Sequence, residues 1–421
     1  MIQPPATAAI CGLLILLIPL ALAGLTLMNC GLGRSRTAAH AIMATLTVAA
    51  VAAIAYAVFG FAWQGVAGRP GYAFSVGGKQ WGWIGAERLF LLGLDFDGSP
   101  AILTACFGTF SAALAAAIPL GAGAERWRLA GMAATTAVVA GWTYPLFAHW
   151  AWGGGWLSQV GFADAGGAGT IQAIGGLAAL SVAWILGPRR GKYSNDGMPA
   201  AIPGHNAVFV LFGCLLGWIG WVGLNAAGAI LFYGASLARI SLVAINTMLA
   251  AGGGLLATAL ITRTRFSKPD ASLSANGWVG GLVASSASAA FMSPTAALIV
   301  GLVAGALVPF CIEWLELHLG IDDPGGTIAV HGACGIWGLL AAGIVGRFPG
   351  GSTDQLTAQL VGIAALLGFV FPFTYGVNTL LNRFIPFRVA PEGERQGMDL
   401  HELGANAYPE LTGHIEDFTQ R

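Results

Sequence analysis

The chain has 421 residues, 56% of them hydrophobic and only 9% charged, with a mean hydropathy of +0.73. So few charges cannot cover a water-exposed surface, which excludes a soluble globular protein and leaves a polytopic membrane protein. The formal net charge of zero argues against nucleic acid, and six cysteines without a C-x-x-C pair argue against a metal or disulfide framework; Cys11, Cys106, Cys214 and Cys334 read as buried thiols inside apolar runs.

Met1 to Thr7 carries no Lys or Arg ahead of the first apolar run, so that run reads as a retained helix rather than a signal peptide. Apolar runs long enough to span a bilayer follow at about 7–30, 38–62, 100–122, 128–150, 166–187, 205–231, 237–262, 273–292, 295–319, 326–346 and 356–385. These predict an all-α fold of eleven transmembrane helices. The loop at about 63–99 carries Trp81 and Trp83, which read as interfacial or loop-packing aromatics. With the N-terminus outside, the inner side holds Arg34, Arg36, Arg126, Arg128, Arg189, Arg190, Lys192, Arg263, Arg265, Lys268, Arg383, Arg388, Arg395 and Arg421. The outer side keeps Arg69, Lys79, Arg88, Arg239 and Arg347, and a bias of fourteen to five puts the C-terminus in the cytoplasm. Residues 386–421 lose the apolar periodicity and form a cytoplasmic tail expected to lie on the cytoplasmic loops.

One short pattern occurs twice: D-A-G-G-A-G-T-I-Q from Asp164 to Gln172 and D-P-G-G-T-I-A-V-H from Asp323 to His331. Each heads an apolar run, placing an acid at a membrane edge and a polar side chain about 12 Å deeper. The frames open the fifth and tenth helices, so each closes a five-helix unit (about 7–187 and 205–346), with the run at 356–385 outside the repeat. Because five is odd, the second unit inserts upside down, an inverted repeat with the pathway at its interface. Asp164 is then expected near the outer face and Asp323 near the inner one, and the 63 glycines allow close helix contact.

GAGAERWR at 121–128, AHWAWGGG at 148–155, the Asp164 frame, GWVGLNAAGA at 220–229, DDPGGTIAVHGACGIWG at 322–338 and GMDLHELGANAY at 397–408 complete a recognisable set. With them the chain resembles the ammonium transporter family (Amt/Mep/Rh) over essentially its whole length. The resemblance implies a homotrimer with a pore in each subunit, an outer vestibule that attracts ammonium by an aromatic face and a hydroxyl, a gate of two stacked phenylalanines, and two pore histidines. Moving a bare cation into a low-dielectric interior costs several kcal/mol or more, so neutral ammonia crosses a dry pore far more readily and deprotonation must come early.

On this resemblance Trp152 is the vestibule tryptophan, whose face can offset roughly 0.5–2 kcal/mol of cation desolvation; the alternative is an interfacial anchor. Asp164 is the family acid, as a vestibule support or a cap for helix-terminal N–H groups. His331 is one pore histidine, and its partner position holds Gln172, which hydrogen-bonds but cannot titrate. Counted without gaps from GAGAER, Ser111 stands at the first gate position, and a small shift would put Phe107 or Phe110 there instead. Leu224, preceding Asn225, stands at the second, and Gly228 stands where a vestibule serine is common. The chain thus keeps the scaffold, Trp152, Asp164 and His331 and departs at up to four pathway positions. His149 and His205 near helix ends read as hydrogen-bonded structural residues, while His40 and His318 fall in no usable pattern.

The reading is an inner-membrane ammonium or ammonia channel or transporter, in contact with lipid and ammonium, with no cofactor or metal; for the tail the resemblance implies coupling of subunits or a PII-type signal protein as partner, and the alternative is a passive tail. Its rivals are a non-conducting ammonium sensor and a pore repurposed for another small neutral solute. The roughly 35 residues after the last helix are too few for a kinase or cyclase signalling domain. An enzyme is not indicated: no metal-spaced cluster, based nucleophile or phosphate loop is present in the sequence.

Overall fold

The computed structural model describes residues 5–66, 71–76, 79–350 and 354–409. Met1 to Pro4, Arg69 and Arg421 from the sequence reading lie outside the described residues, as does the tail beyond 409 and the side chain of Lys79. The helices run α1 Pro5–Leu32, α2 Ser35–Gln64, α3 Pro100–Gly123, α4 at 129–152, α5 Ala168–Leu186, α6 Ala207–Tyr233, α7 Arg239–Phe266, α8 Ala271–Ser285, α9 Pro294–Leu319, α10 Ile328–Val345 and α11 Gln355–Phe384. Nine of these, all but α4 and α8, are long and apolar enough to cross a membrane. The run expected at 273–292 stops as a helix at Ser285, because the chain turns there to pack under α5.

The helix ends carry the local chemistry that sets them. Asn206, Asp270 and Ser293 accept from Phe209, Leu273 and Ala296 backbone N–H groups, and so start α6, α8 and α9. Gly234 closes α6 in the left-handed conformation at φ +61°, which a residue without Cβ adopts without strain.

Packing is by backbone contact. A Cβ on Gly24 would lie 2.5 Å from the Gly213 carbonyl oxygen, and one on Gly305 would lie 2.1 Å from that of Gly254. Those approaches join α1 to α6 and α7 to α9, where dispersion and fit replace the hydrophobic drive that lipid does not supply. The segment between α2 and α3 contains a two-stranded antiparallel hairpin, β1 Tyr72–Val76 and β2 Lys79–Ile84. Trp83 of the hairpin stacks on Trp150 of α4 at 5.4 Å, and its carbonyl accepts from the Trp150 indole N–H. Loop-packing is therefore its observed role.

Two short helices, α12 Pro391–Gln396 and α13 Met398–Leu403, lay the tail against the α1–α2 and α3–α4 connections. Asp399 accepts from the Ala39 and His40 backbone N–H groups at the start of α2 (3.1 and 2.7 Å), a cap supplied by a distant segment. Glu402 meets the His40 ring and the Leu129 N–H, so His40 is part of the tail anchor. His205 bonds the Gly33 carbonyl and the Tyr408 hydroxyl.

Candidate functional site

Both D-x-G-G frames fold into the same device. Asp164 Oδ1 accepts from Ala168 N, and Oδ2 accepts from Gly169 N, Thr170 N and Thr170 Oγ1, all within 2.7–2.9 Å. Asp323 accepts from Ile328 N (2.7 Å) and Thr327 Oγ1 (3.1 Å). Three residues beyond each acid a glycine turns left-handed, Gly167 at φ +85° and Gly326 at φ +67°. Wide π turns then begin the helices, Ala168–Ala173 and Ile328–Ala333.

The frames meet in the middle of the bundle. His331 Nδ1 and Gln172 Oε1 are 2.8 Å apart across 159 residues of sequence, both side chains buried. In this orientation of the amide its oxygen accepts, so the imidazole donates from Nδ1 and keeps its Nε2 lone pair. Gln172 Nε2 finds no partner among the described residues. The contact around the pair is reciprocal: a Cβ on Gly176 would lie 2.2 Å from Gly332 N, and one on Gly335 would lie 3.1 Å from Ala173. Ala173 and Gly332 occupy the same place in the two frames, as do Gly176 and Gly335, so the two segments contact each other through equivalent surfaces.

The acids lie at opposite ends of α5. Asp164 precedes its first turn, whereas Asp322, next to Asp323, grips Arg189 just beyond its last one: Oδ2 accepts from Arg189 Nε (2.9 Å) and Oδ1 from Nη2 (3.0 Å). Glu125 accepts from Arg189 Nη1 and pairs with Arg34, and the buried Arg126 donates to the carbonyls of Ala124, Gly187 and Asp322. Burial would raise the Asp322 carboxyl, yet the Arg189 hydrogen bonds and the charges of Arg126 and Arg189 hold it below its ordinary value. Among the described residues the Asp164 end has no such ion cluster: Tyr233 Oη accepts from the Asp164 N–H, and Gln359 bridges the N–H and carbonyl of Ala163.

Trp152, 4% exposed, ends α4 above the pair and donates its indole N–H to the Asp164 carbonyl at 2.7 Å. Its ring lies parallel to Phe232 at 4.3 Å and 3°, and Phe107 stands perpendicular to both, 5.7 Å from Trp152 and 5.3 Å from Phe232. Ser111 is one turn below Phe107 on α3, fully buried, with its hydroxyl beside that of Tyr144. Phe110 is half-buried three residues further along that helix and has no ring contact with these three among the described residues. Leu224 is fully buried, and Asn225 donates to Thr247 Oγ1 at 3.2 Å.

Gly228 is small for a packing reason. A Cβ there would sit 2.1 Å from the Ala165 carbonyl oxygen, so no serine fits without moving the Asp164 frame. The sequence reading missed Phe232, Tyr233 and Gln359. Two of these lie at the end of α6 and the third one turn inside α11, with no spacing signal to set them apart from ordinary apolar or polar residues.

The model of the Ammonium Transporter Family matches residues 7–408. The chain belongs to that family. It is 36% identical to the ammonium transporter Amt2 of Archaeoglobus fulgidus over 433 residues, covering 96% of this chain and 87% of that protein. It is 31% identical to the ammonium transporter of Bacillus subtilis, with 93% and 96% coverage. Among solved structures, a sensor Amt protein superposes with TM-score 0.86 at 28% identity, covering 94% and 98% of the two chains. Mep2 of Candida albicans gives TM-score 0.79 at 25% identity, with 92% and 87% coverage.

Proposed function

We propose that this member of the ammonium transporter family conducts neutral ammonia through a pore lined by Gln172 and His331, with Trp152 as the outer ammonium site. The observation that carries it is the buried Gln172–His331 hydrogen bond. A titratable ring there faces an amide that cannot take up or release a proton, so the pair can orient ammonia by donating and accepting but cannot relay a proton from one member to the other. The unpaired Gln172 amide N–H and the imidazole lone pair together match a molecule that both accepts and donates hydrogen bonds.

The architecture that goes with this reading is eleven transmembrane helices in a five-plus-five inverted repeat (about 7–187 and 205–346) with α11 outside it. The N-terminus is outside, the tail from 386 cytoplasmic, and three subunits assemble in the cell's inner membrane. The reciprocal contact of the frames and the placement of the acids at opposite ends of α5 support the inversion. The docked tail offers a surface to a PII-type partner. Asp164 and Asn225 support the site from below; Phe107, Phe110, Ser111, Leu224 and Gly228 belong to its approach.

The test is current and ammonia flux in proteoliposomes under an ammonium gradient, with methylammonium as comparator. The unmodified protein is expected to alkalinise the lumen with little current, and Gln172→His to raise ammonium-driven current. Robust current that survives His331→Ala overturns the proposal. Ammonium binding without flux would favour a sensor, and flux of another neutral solute alone a repurposed pore.

A further inference from the structure

On the ungapped count, the two positions that the family resemblance implies for gate rings hold Ser111 and Leu224, neither of which presents an aromatic face. The same two helices nevertheless bring rings together further out. Phe107 lies four residues before Ser111 on α3, and Phe232 lies eight residues after Leu224 on α6, about 6 and 12 Å along their axes. Because the Phe107 and Phe232 rings touch each other and Trp152, both displacements are toward the Trp152 end of the bundle.

We propose that the aromatic gate has moved outward to Phe107 and Phe232, and that Phe232 is the movable ring that closes the ammonium site by lying on the Trp152 indole. This rests on the reading of Trp152 given above and deepens it. A cation bound to an indole must approach its face. With Phe232 stacked at 4.3 Å, that face is in ring contact and leaves no room for an ammonium ion between the two. Solute reaches Trp152 on this side only when Phe232 swings away.

The surroundings distinguish the ring that moves from the rings that stay. Phe107 is fully buried, and Trp152 is pinned by its bond to the Asp164 carbonyl. Phe232 is only half-buried, one residue from the C-terminal end of α6. Its neighbour Tyr233 holds that helix end, through its hydroxyl on Asp164 N and ring contacts with Phe291 and Phe348. The helix therefore stays in place while the Phe232 side chain turns. Below the gate, Ser111 lies one turn further along α3 than Phe107, fully buried, where a thiol would report passage beyond the ring.

The experiment introduces Ser111→Cys beneath the gate and follows its modification by aminoethyl methanethiosulfonate in the full-length protein in detergent, against the same background without that substitution. Adding Phe232→Ala is expected to speed the modification at least tenfold, and in the otherwise unmodified protein to tighten methylammonium binding several-fold, a gain that Trp152→Leu removes. Phe232→Leu serves where the alanine variant fails to assemble, judged by size exclusion. Equal modification rates together with unchanged methylammonium affinity overturn the gate. Ammonia flux absent from every variant, with the modification rates still different, would instead overturn the transport reading and leave the gate standing.

Discussion

The Asp164 and Asp323 frames share a capping carboxylate, a left-handed glycine and a π turn, yet they sit in opposite kinds of surroundings. The Asp164 end is held by neutral groups, the Tyr233 hydroxyl, the Gln359 amide and the Trp152 indole. The Asp323 end adjoins an ion cluster of Asp322, Arg189, Glu125 and Arg34. A backbone device that satisfies helix-terminal N–H groups recurs in both frames, because its hydrogen bonds depend on local geometry alone. What surrounds it can diverge, and here one end is held by neutral hydrogen-bonding groups and the other by paired charges.

The largest test removes the carboxylates one at a time. Asp164 carries four hydrogen bonds in a fully buried site and Asp323 two. Asp164→Ala is expected to destabilise by roughly 3 kcal/mol or more and Asp323→Ala by about half as much, since bonds to a charged acceptor contribute about 1.5–3 kcal/mol each and are not additive. Thermal unfolding in detergent reads both, and a greater loss at Asp323 would break the proposed asymmetry.

Next comes Gly228→Ser, which on sequence grounds should restore a vestibule hydroxyl. Collision with the Ala165 carbonyl predicts instead a loss of about 1–3 kcal/mol in stability and no tighter methylammonium binding. A stable variant with raised affinity would show that the Asp164 frame yields easily.

Trp152→Leu is expected to weaken methylammonium binding by about 1 kcal/mol, the order of a partly desolvated cation–π contact. Calorimetry on purified protein checks it, and unchanged affinity would take Trp152 out of the site.

The smallest effect concerns the tail. Burial raises the Glu402 carboxyl, but the bond to His40, the Leu129 N–H and the Arg128 charge outweigh it and hold the group below the ordinary glutamate value of 4.5. A depressed carboxylate stabilises docking above that value and loses its contribution as pH falls through the lower folded value. Protection of the amides across residues 391–403, corrected for the intrinsic pH dependence of exchange, should therefore stay high at neutral pH and fall in acid below about 4.5. Protection that falls on raising the pH instead would reverse the sign.

Much of the architecture was legible in the chain because its signals are local. Apolar runs located α1 to α11 to within a few residues in most cases, and the D-x-G-G pattern marked both capped turns with their glycines. The exception, α8, is shorter than its apolar run: Ser286 and Ala287 offer carbonyls to Gly166 and Ala165, a contact with a distant frame that hydropathy does not register.

By itself, then, the sequence determined a membrane-embedded helical chain, its repeated frame, and a glutamine in one frame where the other carries a histidine. Those follow from composition, short-range capping chemistry and side-chain identity. Only the tertiary structure decided that Gln172 meets His331, that Gly228 is a close backbone approach rather than a lost hydroxyl, and that Phe232 covers the indole of Trp152. Each joins residues from separate helices, and which faces meet depends on how whole helices fit against one another, a property that no short stretch of chain carries.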